Sequence, residues 1–181
     1  MKRNDKKEVE ALLAASEKEP LKILFVCLGN ICRSPAAQGI MEAKLKEKDL
    51  SHQVKLDSAG LYGGHRGELP DRRMRVHANQ RGYNLTHRSR PVNSSDFSDF
   101  DIIIGMDNNN YDRLRNLAPT PEEEKKVVRM IDLIDGFSDF DYIPDPYYEG
   151  SDGFELVLDM LEEGTDKLIE LILSNKKESN K

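Results

Sequence analysis

The sequence predicts an α/β fold, a three-layer αβα sandwich on a four-stranded parallel sheet. Two patterns predict it. Short apolar runs alternate four times with stretches of helical periodicity, which implies parallel strands joined by crossover helices. The runs are apolar nearly throughout, the character of strands covered on both faces. A chain of 181 residues suffices for one domain with a sizeable core, and a second full domain is not expected.

The elements follow in order. "LKILFVC" from Leu21 is the first buried strand. Ser34 and Pro35 fit the N-cap and first position of a helix, along which Ala37, Ile40, Met41 and Leu45 recur at helical spacing with the Lys44 stem at one edge. "HQVKLDSAG" predicts a second strand ending at Ser58. "LPDRRMRVHANQRG" predicts a helix with Pro70 near its start and Gly82 stopping it. "FDIIIGMD" is a third strand, with Asp107 capping the helix "NNNYDRLRNL", and "KKVVRMID" is the fourth. Phe154, Val157, Leu158, Leu161, Leu168 and Ile172 form one stripe of a long closing helix. Residues 1–20 read as a charged extension, mobile, loosely docked or helical through Val9, Leu12 and Leu13. Residues 21–174 form the folded domain and 175–181 a polar tail.

With 38% apolar and 33% charged residues, the composition is that of a soluble globule. A net charge of −6 argues against general affinity for nucleic acid or anionic membranes, though not against a small cationic pocket. No apolar run approaches the roughly 20 residues of a membrane helix, and the first 20 residues lack the apolar segment of a signal peptide. The two cysteines, Cys27 and Cys32, make no disulfide framework. The reading is of a cytoplasmic protein with free thiols, mainly monomeric with at most weak self-association.

Both cysteines lie in "FVCLGNICRSP", beginning where the first strand finishes. In parallel sheets, ligands bind beyond the carboxyl ends of the strands. A cysteine attacks as its thiolate, which a helix N-terminus and a neighbouring guanidinium both favour. This loop offers a helix start and Arg33. Gly29 and Asn30 tolerate positive φ, so the stretch Leu28, Gly29, Asn30, Ile31, Cys32 can curl with its N–H groups inward as an anion nest. Arg33 adds two parallel donors to a bound oxyanion. A phosphoryl group held over a sulfur nucleophile is the chemistry this combination fits. Zinc fits poorly, since two thiols without a convincing histidine pair cannot complete a tetrahedral site.

"CLGNICRSP" after "ILFV" resembles the active-site signature of the low-molecular-weight protein tyrosine phosphatases. The likeness extends through "DSAG" (57–60), "DIIIGMD" (101–107) and "DPYYEG" (145–150), over roughly residues 21 to 173. The resemblance implies a flavodoxin-like sheet and a reaction without metal or cofactor. Cys27 is then the nucleophile that becomes a phosphocysteine, Arg33 and the amides of residues 28–32 bind phosphate, and Asp145 is general acid and then base. It also implies that Ser34, Ser58 and His87 brace the loop, largely through Asn30. Tyr147 and Tyr148 make one wall of a cleft for a phenyl ring, and Tyr62 or Leu61 the other. Cys32 lies across the loop, read either as placed to form a disulfide with an oxidised Cys27 or as a packing residue with no redox part. The expected partner is a phosphotyrosine-containing protein or a small aryl phosphate.

Other readings share the loop. Thioredoxin-coupled arsenate reductases need a further cysteine pair, absent from this sequence. Protein-arginine phosphatases usually carry threonine where this chain has Ile31, and phenylalanine and glycine after Asp-Pro where it has Tyr147 and Tyr148. A non-catalytic phosphopeptide-binding module generally lacks the nucleophile, the arginine or the acid. Arginines at 66, 72, 73, 75, 81, 88 and 90 make one stretch locally basic, read either as a solvated helix face or as guidance for acidic phosphopeptides.

Overall fold

A computed structural model of the chain describes residues 6–16 and 18–179. Of the extension and tail read from the sequence, residues 1–5, 17, 180 and 181 lie outside these. The sheet has four parallel strands, β1 (Leu21–Cys27), β2 (Val54–Gly60), β3 (Ile102–Gly105) and β4 (Val127–Arg129), in the order β2-β1-β3-β4. The helices are α1 (Lys7–Ala15), α2 (Arg33–Glu47), α3 (Arg72–Gln80), α4 (Asp96–Asp99), α5 (Asn108–Leu117), α6 (Pro121–Glu124) and α7 (Ser151–Ser179).

Strand β1 shows how an uninterrupted apolar run specifies a central strand. Ile23, Phe25 and Cys27 join one core cluster, while Leu24 and Val26 join a second. Side chains alternate across a strand, so both faces of this one must find apolar cover. On the Phe25 side the cover is Ile40, Met41 and Leu45 of α2 together with the whole predicted stripe of α7. On the Leu24 side it is Phe97 of α4 with Tyr111 and Leu114 of α5. The chain steps from β1 out to β2, then returns to place β3 on the other flank of β1. That reversal makes the carboxyl end of β1 the switch point of the sheet, where a crevice opens.

Several boundaries differ from the sequence reading, each for a local reason. Strand β2 continues past Ser58 to Gly60, still paired with Cys27 of β1. The fourth strand stops at Arg129, and Met130–Leu133 tighten into a 3₁₀ turn. Helix α3 starts after Pro70 because Asp71 caps it, accepting from the Arg73 N–H at 2.8 Å. It ends just ahead of Gly82, whose φ of +87° is the left-handed conformation glycine adopts freely. Asp107 caps α5 as predicted, accepting from the Asn110 N–H at 2.7 Å. Helix α2 begins at Arg33 with Cys32 as its N-cap, ahead of the predicted Ser34.

At the chain ends, Val9 and Leu13 of α1 are buried in the core shared with α7. The Asn175 side chain donates to the Leu13 carbonyl at 3.0 Å, and α7 runs on through the residues read as a tail as far as Ser179. No helix among the described residues is long and apolar enough to cross a membrane.

Candidate active site

The loop between β1 and α2 turns on Asn30, which holds a φ of +56° and is 1% exposed. The sequence offered two residues for this conformation, Gly29 and Asn30; among the described residues the positive φ falls on Asn30 and not on Gly29. A buried amide must satisfy its polar atoms, and this one does so fully. Its Nδ2 donates to Ser34 Oγ at 2.8 Å and Ser58 Oγ at 3.0 Å. Its Oδ1 accepts from His87 Nε2 at 2.9 Å and from the Arg90 N–H at 3.0 Å. Ser34, Ser58 and His87 therefore all converge on the loop through Asn30. Gln38, missed in the sequence, continues the network by accepting from Ser58 Oγ at 2.7 Å.

The Cys27 sulfur lies inside the curl, 3.3 Å from the Asn30 N–H and 3.0 Å from Ser34 Oγ. This explains the helix boundary: Ser34 engages the sulfur and Asn30 instead of capping α2. Gly60 is the last residue of β2 because nothing larger fits. A Cβ there would lie 2.8 Å from the Leu28 carbonyl oxygen and 3.1 Å from the Asn30 Cβ.

Arg33 is 2% exposed. Its Nη1 donates to Asp107 Oδ2 at 2.7 Å and the Ile143 carbonyl at 3.0 Å, and its Nη2 to Asp145 Oδ2 at 3.3 Å. Burial works against the cation, but Cys27, Asp145 and Asp107 outweigh it, and the Arg33 pKa lies above its ordinary value. Asp107 thus has a second function beyond the helix cap read from the sequence.

Asp145 arrives from far along the chain and is set by a 3₁₀ turn, Pro146–Tyr148, whose Tyr147 N–H donates to Asp145 Oδ1 at 3.1 Å. A second unforeseen residue, Arg73, holds that turn. It pairs with Asp71 at 2.9 Å, donates to the Tyr147 carbonyl at 3.0 Å and stacks 5.3 Å from the Tyr147 ring centre. The Asp71 N–H meanwhile donates to the Ile31 carbonyl of the loop at 2.7 Å. One turn of α3 therefore ties the loop bearing Cys27 to the segment bearing Asp145.

These parts line one cleft of about 220 Å³ with Cys27, Arg33 and Asp145 in its walls. Leu28, Gly29, Ile31 and Cys32 complete the loop side, and Tyr62, Tyr147 and Tyr148 form the rim. The two neighbouring tyrosines meet edge to face, with ring centres 4.9 Å apart. Of the pair proposed for the opposite wall, Tyr62 lines the cleft, while Leu61 packs against the core on the α5 side. His65 also lines the cleft, its Nδ1 2.8 Å from Glu68; "LYGGHRGELP" carried no periodicity that would have singled it out.

Cys27 and Cys32 are both free thiols. Burial first, then the neighbouring Asp71, Cys27 and Asp145, pushes the Cys32 pKa far above its ordinary value. Cys32 is therefore a protonated thiol at neutral pH.

A loop curled around a thiol at the switch point of a 2-1-3-4 parallel sheet places the molecule among α/β proteins with their site beyond the carboxyl ends of the strands. The family model for "Low molecular weight phosphotyrosine protein phosphatase" matches residues 22–179, and the chain belongs to that family. It is 41% identical over 150 residues to a low molecular weight protein-tyrosine-phosphatase of Streptomyces coelicolor, covering 82% of this chain and 91% of that one. The crystal structure of a protein tyrosine phosphatase from Entamoeba histolytica, with Hepes in its active site, matches with a TM-score of 0.82 and 42% identity. The match covers 86% of this chain and 99% of the other. A Drosophila arginine phosphatase matches with a TM-score of 0.77 and 33% identity over 83% of this chain and 96% of its own. The protein is accordingly a protein-tyrosine phosphatase of the low molecular weight type, a hydrolase.

Two outcomes test the loop. Asn30→Ala removes four hydrogen bonds, two of them to buried serines, and leaves a β-carbon in the left-handed region without those compensating bonds, so it is expected to cost on the order of 3 kcal/mol in urea unfolding. Asn30→Gly relieves the backbone alone and is expected to cost measurably less. Burial holds the His87 pKa below its ordinary value, against the opposing pull of Asp57. The unfolded chain therefore takes up that proton first. The associated stability is complete above the ordinary histidine pKa of about 6.5 and drains away as pH falls through it towards the folded value. Urea unfolding between neutral pH and about pH 5 should show a smaller loss for His87→Asn than for the wild type.

Proposed function

We propose that the chain hydrolyses phosphotyrosine monoesters through a phosphocysteine intermediate on Cys27. The observation that carries this is the Cys27 sulfur, held by the Asn30 N–H and Ser34 Oγ in a cleft that Arg33 and Asp145 also line.

An incoming phosphate dianion competes for the Arg33 guanidinium with the two carboxylates already bound. The Asp145 contact is the longer, at 3.3 Å against 2.7 Å for Asp107, and Asp145 is the more exposed. Phosphate therefore displaces Asp145 and leaves Asp107 to keep Arg33 in place. The Cys27 thiolate attacks phosphorus in line, forming the S–P bond as the P–O bond to the aryl group breaks. The loop amides and Arg33 hold the equatorial oxygens as charge redistributes. A tyrosine oxygen, with a pKa of about 10, leaves readily only when protonated, and Asp145 delivers that proton. Asp145 then takes a proton from water as it attacks phosphorus. The S–P bond breaks, releasing phosphate and regenerating the thiolate.

The cleft geometry favours an aryl ester. Tyr62, Tyr147 and Tyr148 line the cleft together with the phosphate loop, and their rings offer apolar faces to a phenyl group. Ile31 and the two tyrosines after Asp-Pro support the phosphotyrosine reading over a phosphoarginine one. Arsenate reduction has no second cysteine pair to use, with two cysteines in the chain. A binding module without turnover has no need of nucleophile, arginine and acid together. For Cys32 we assign a resolving function. A peroxide-generated sulfenic acid on Cys27 condenses with the Cys32 thiol, forming the disulfide and releasing water, and a thiol reductant reverses it.

Cys27→Ser should abolish turnover of phosphotyrosine peptides while retaining inorganic-phosphate affinity within about threefold, since binding to the loop is uniform and not specific to the transition state. Asp145→Asn should lower kcat by about 10²–10⁴ for a phenol leaving group. The loss should shrink for phenols acidic enough to leave unprotonated. Unchanged hydrolysis in Cys27→Ser would overturn the covalent route.

A further inference from the structure

The basic stretch noted in the sequence divides sharply in the structure. Arg73, Arg81 and Arg90 are held by carboxylates: Arg73 by Asp71, Arg81 by Glu155, Asp159 and Glu162, Arg90 by Asp57 and Asp96. Arg72 and Arg75 have no carboxylate partner among the described residues. Arg72 is exposed, and Arg75 donates through Nε to the Pro70 carbonyl at 2.9 Å, leaving its Nη groups for solvent.

These two cations share a groove of about 610 Å³, larger than the catalytic cleft. Positions 72, 75, 76 and 79 follow helical spacing, so the groove runs along one face of α3 and is closed by the segment around Asn84 and Leu85. Val76 is 47% exposed at an apolar part of its wall, and the Asn79 and Asn84 amides stand beside it. Among the described residues no carboxylate lines it, in a chain with 33 acidic residues against 27 basic ones. A groove of positive charge, an apolar strip and side-chain amides offers a peptide chain all it presents: carboxylates to the arginines, methylenes to the strip and backbone amides to the asparagines.

The groove is also joined to the catalytic loop. Arg72 follows Asp71, whose N–H binds the Ile31 carbonyl of that loop, so the first cation is a single residue from a direct contact with the phosphate site. A substrate segment flanking the phosphotyrosine at about 3.3 Å per extended residue is the part of the chain placed to reach that cation.

We propose that this groove docks an acidic segment of the phosphotyrosine-bearing protein substrate, with Arg72 and Arg75 receiving its carboxylates. The proposal rests on the phosphotyrosine reading and deepens it by naming the chemistry of the flanking residues. Such docking lowers KM and leaves the chemical step alone, because the groove touches no reacting atom.

The test compares the full chain and Arg72→Gln/Arg75→Gln on three substrates: phenyl phosphate, a phosphotyrosine peptide with glutamates within about five residues of the phosphotyrosine, and its glutamine counterpart. The double variant is expected to raise KM for the acidic peptide about fivefold or more. Its kcat, and all parameters for phenyl phosphate and the glutamine peptide, should be unchanged, which also shows that the variant folds. Arg72→Lys/Arg75→Lys should restore most of the affinity, and in the wild type salt at about 0.5 M should raise KM for the acidic peptide alone. An unchanged acidic-peptide KM, or an equal rise for both peptides, overturns the acidic-docking proposal while phosphotyrosine hydrolysis stands. Phenyl phosphate turnover with neither peptide hydrolysed overturns the phosphotyrosine reading and the docking with it.

Discussion

The site depends on one buried amide. Asn30 binds α2 through Ser34, β2 through Ser58, and the segment before α4 through His87 and Arg90, while its own backbone makes the left-handed turn that curls the loop around Cys27. The carbonyls of Cys27, Leu28 and Ile31 accept from Leu61, Tyr62 and Asp71 and not from the loop itself, so the loop's shape must come from elsewhere. Here it comes from a side chain with four satisfied bonds in the interior, where each is strong and none is easily replaced. The close approach of β2 at Gly60 follows from the same demand for a tightly drawn loop.

A second constraint is electrostatic. Arg33 is buried among Cys27, Asp107 and Asp145, so one cation faces two carboxylates before substrate arrives. The contacts are unequal, short to the more buried Asp107 and longer to the more exposed Asp145, so Asp107 is the firmer anchor of the guanidinium and Asp145 the carboxylate proposed for proton transfer. Arg73 and Asp71 extend this arrangement by joining the loop that holds Cys27 to the turn that holds Asp145. Residues more than a hundred positions apart are thus brought together by one helical turn.

How much of this could be read from the sequence follows from how local each signal is. The strands and the α7 stripe were legible because burial imposes a period, and the grouping of Cys27 through Arg33 because they share one contiguous loop. Ser34 was misplaced as a helix cap because its hydroxyl is claimed by a sulfur and an amide that only the folded loop brings near. Gln38, His65 and Arg73, and the second role of Asp107, left no trace in spacing; their positions depend on contacts between distant segments. Leu61 and Tyr62 were interchangeable in the sequence and separate only when the chain beyond Gly60 turns one side chain to the core and the other to the cleft. The docking of α1 through Val9 and Leu13 was masked by a charged composition, although two buried side chains suffice to seat it on α7.

The central claim is that the sulfur at position 27 takes phosphorus from an aromatic ester. Rapid mixing of the protein with excess phosphotyrosine peptide, followed by acid quench and mass spectrometry of the proteolysed product, tests it most directly. The account predicts an added phosphoryl group on the peptide containing Cys27, formed and consumed at rates compatible with turnover. Steady hydrolysis with no phosphoryl group on that cysteine at any mixing time, or with one on another residue, would contradict it.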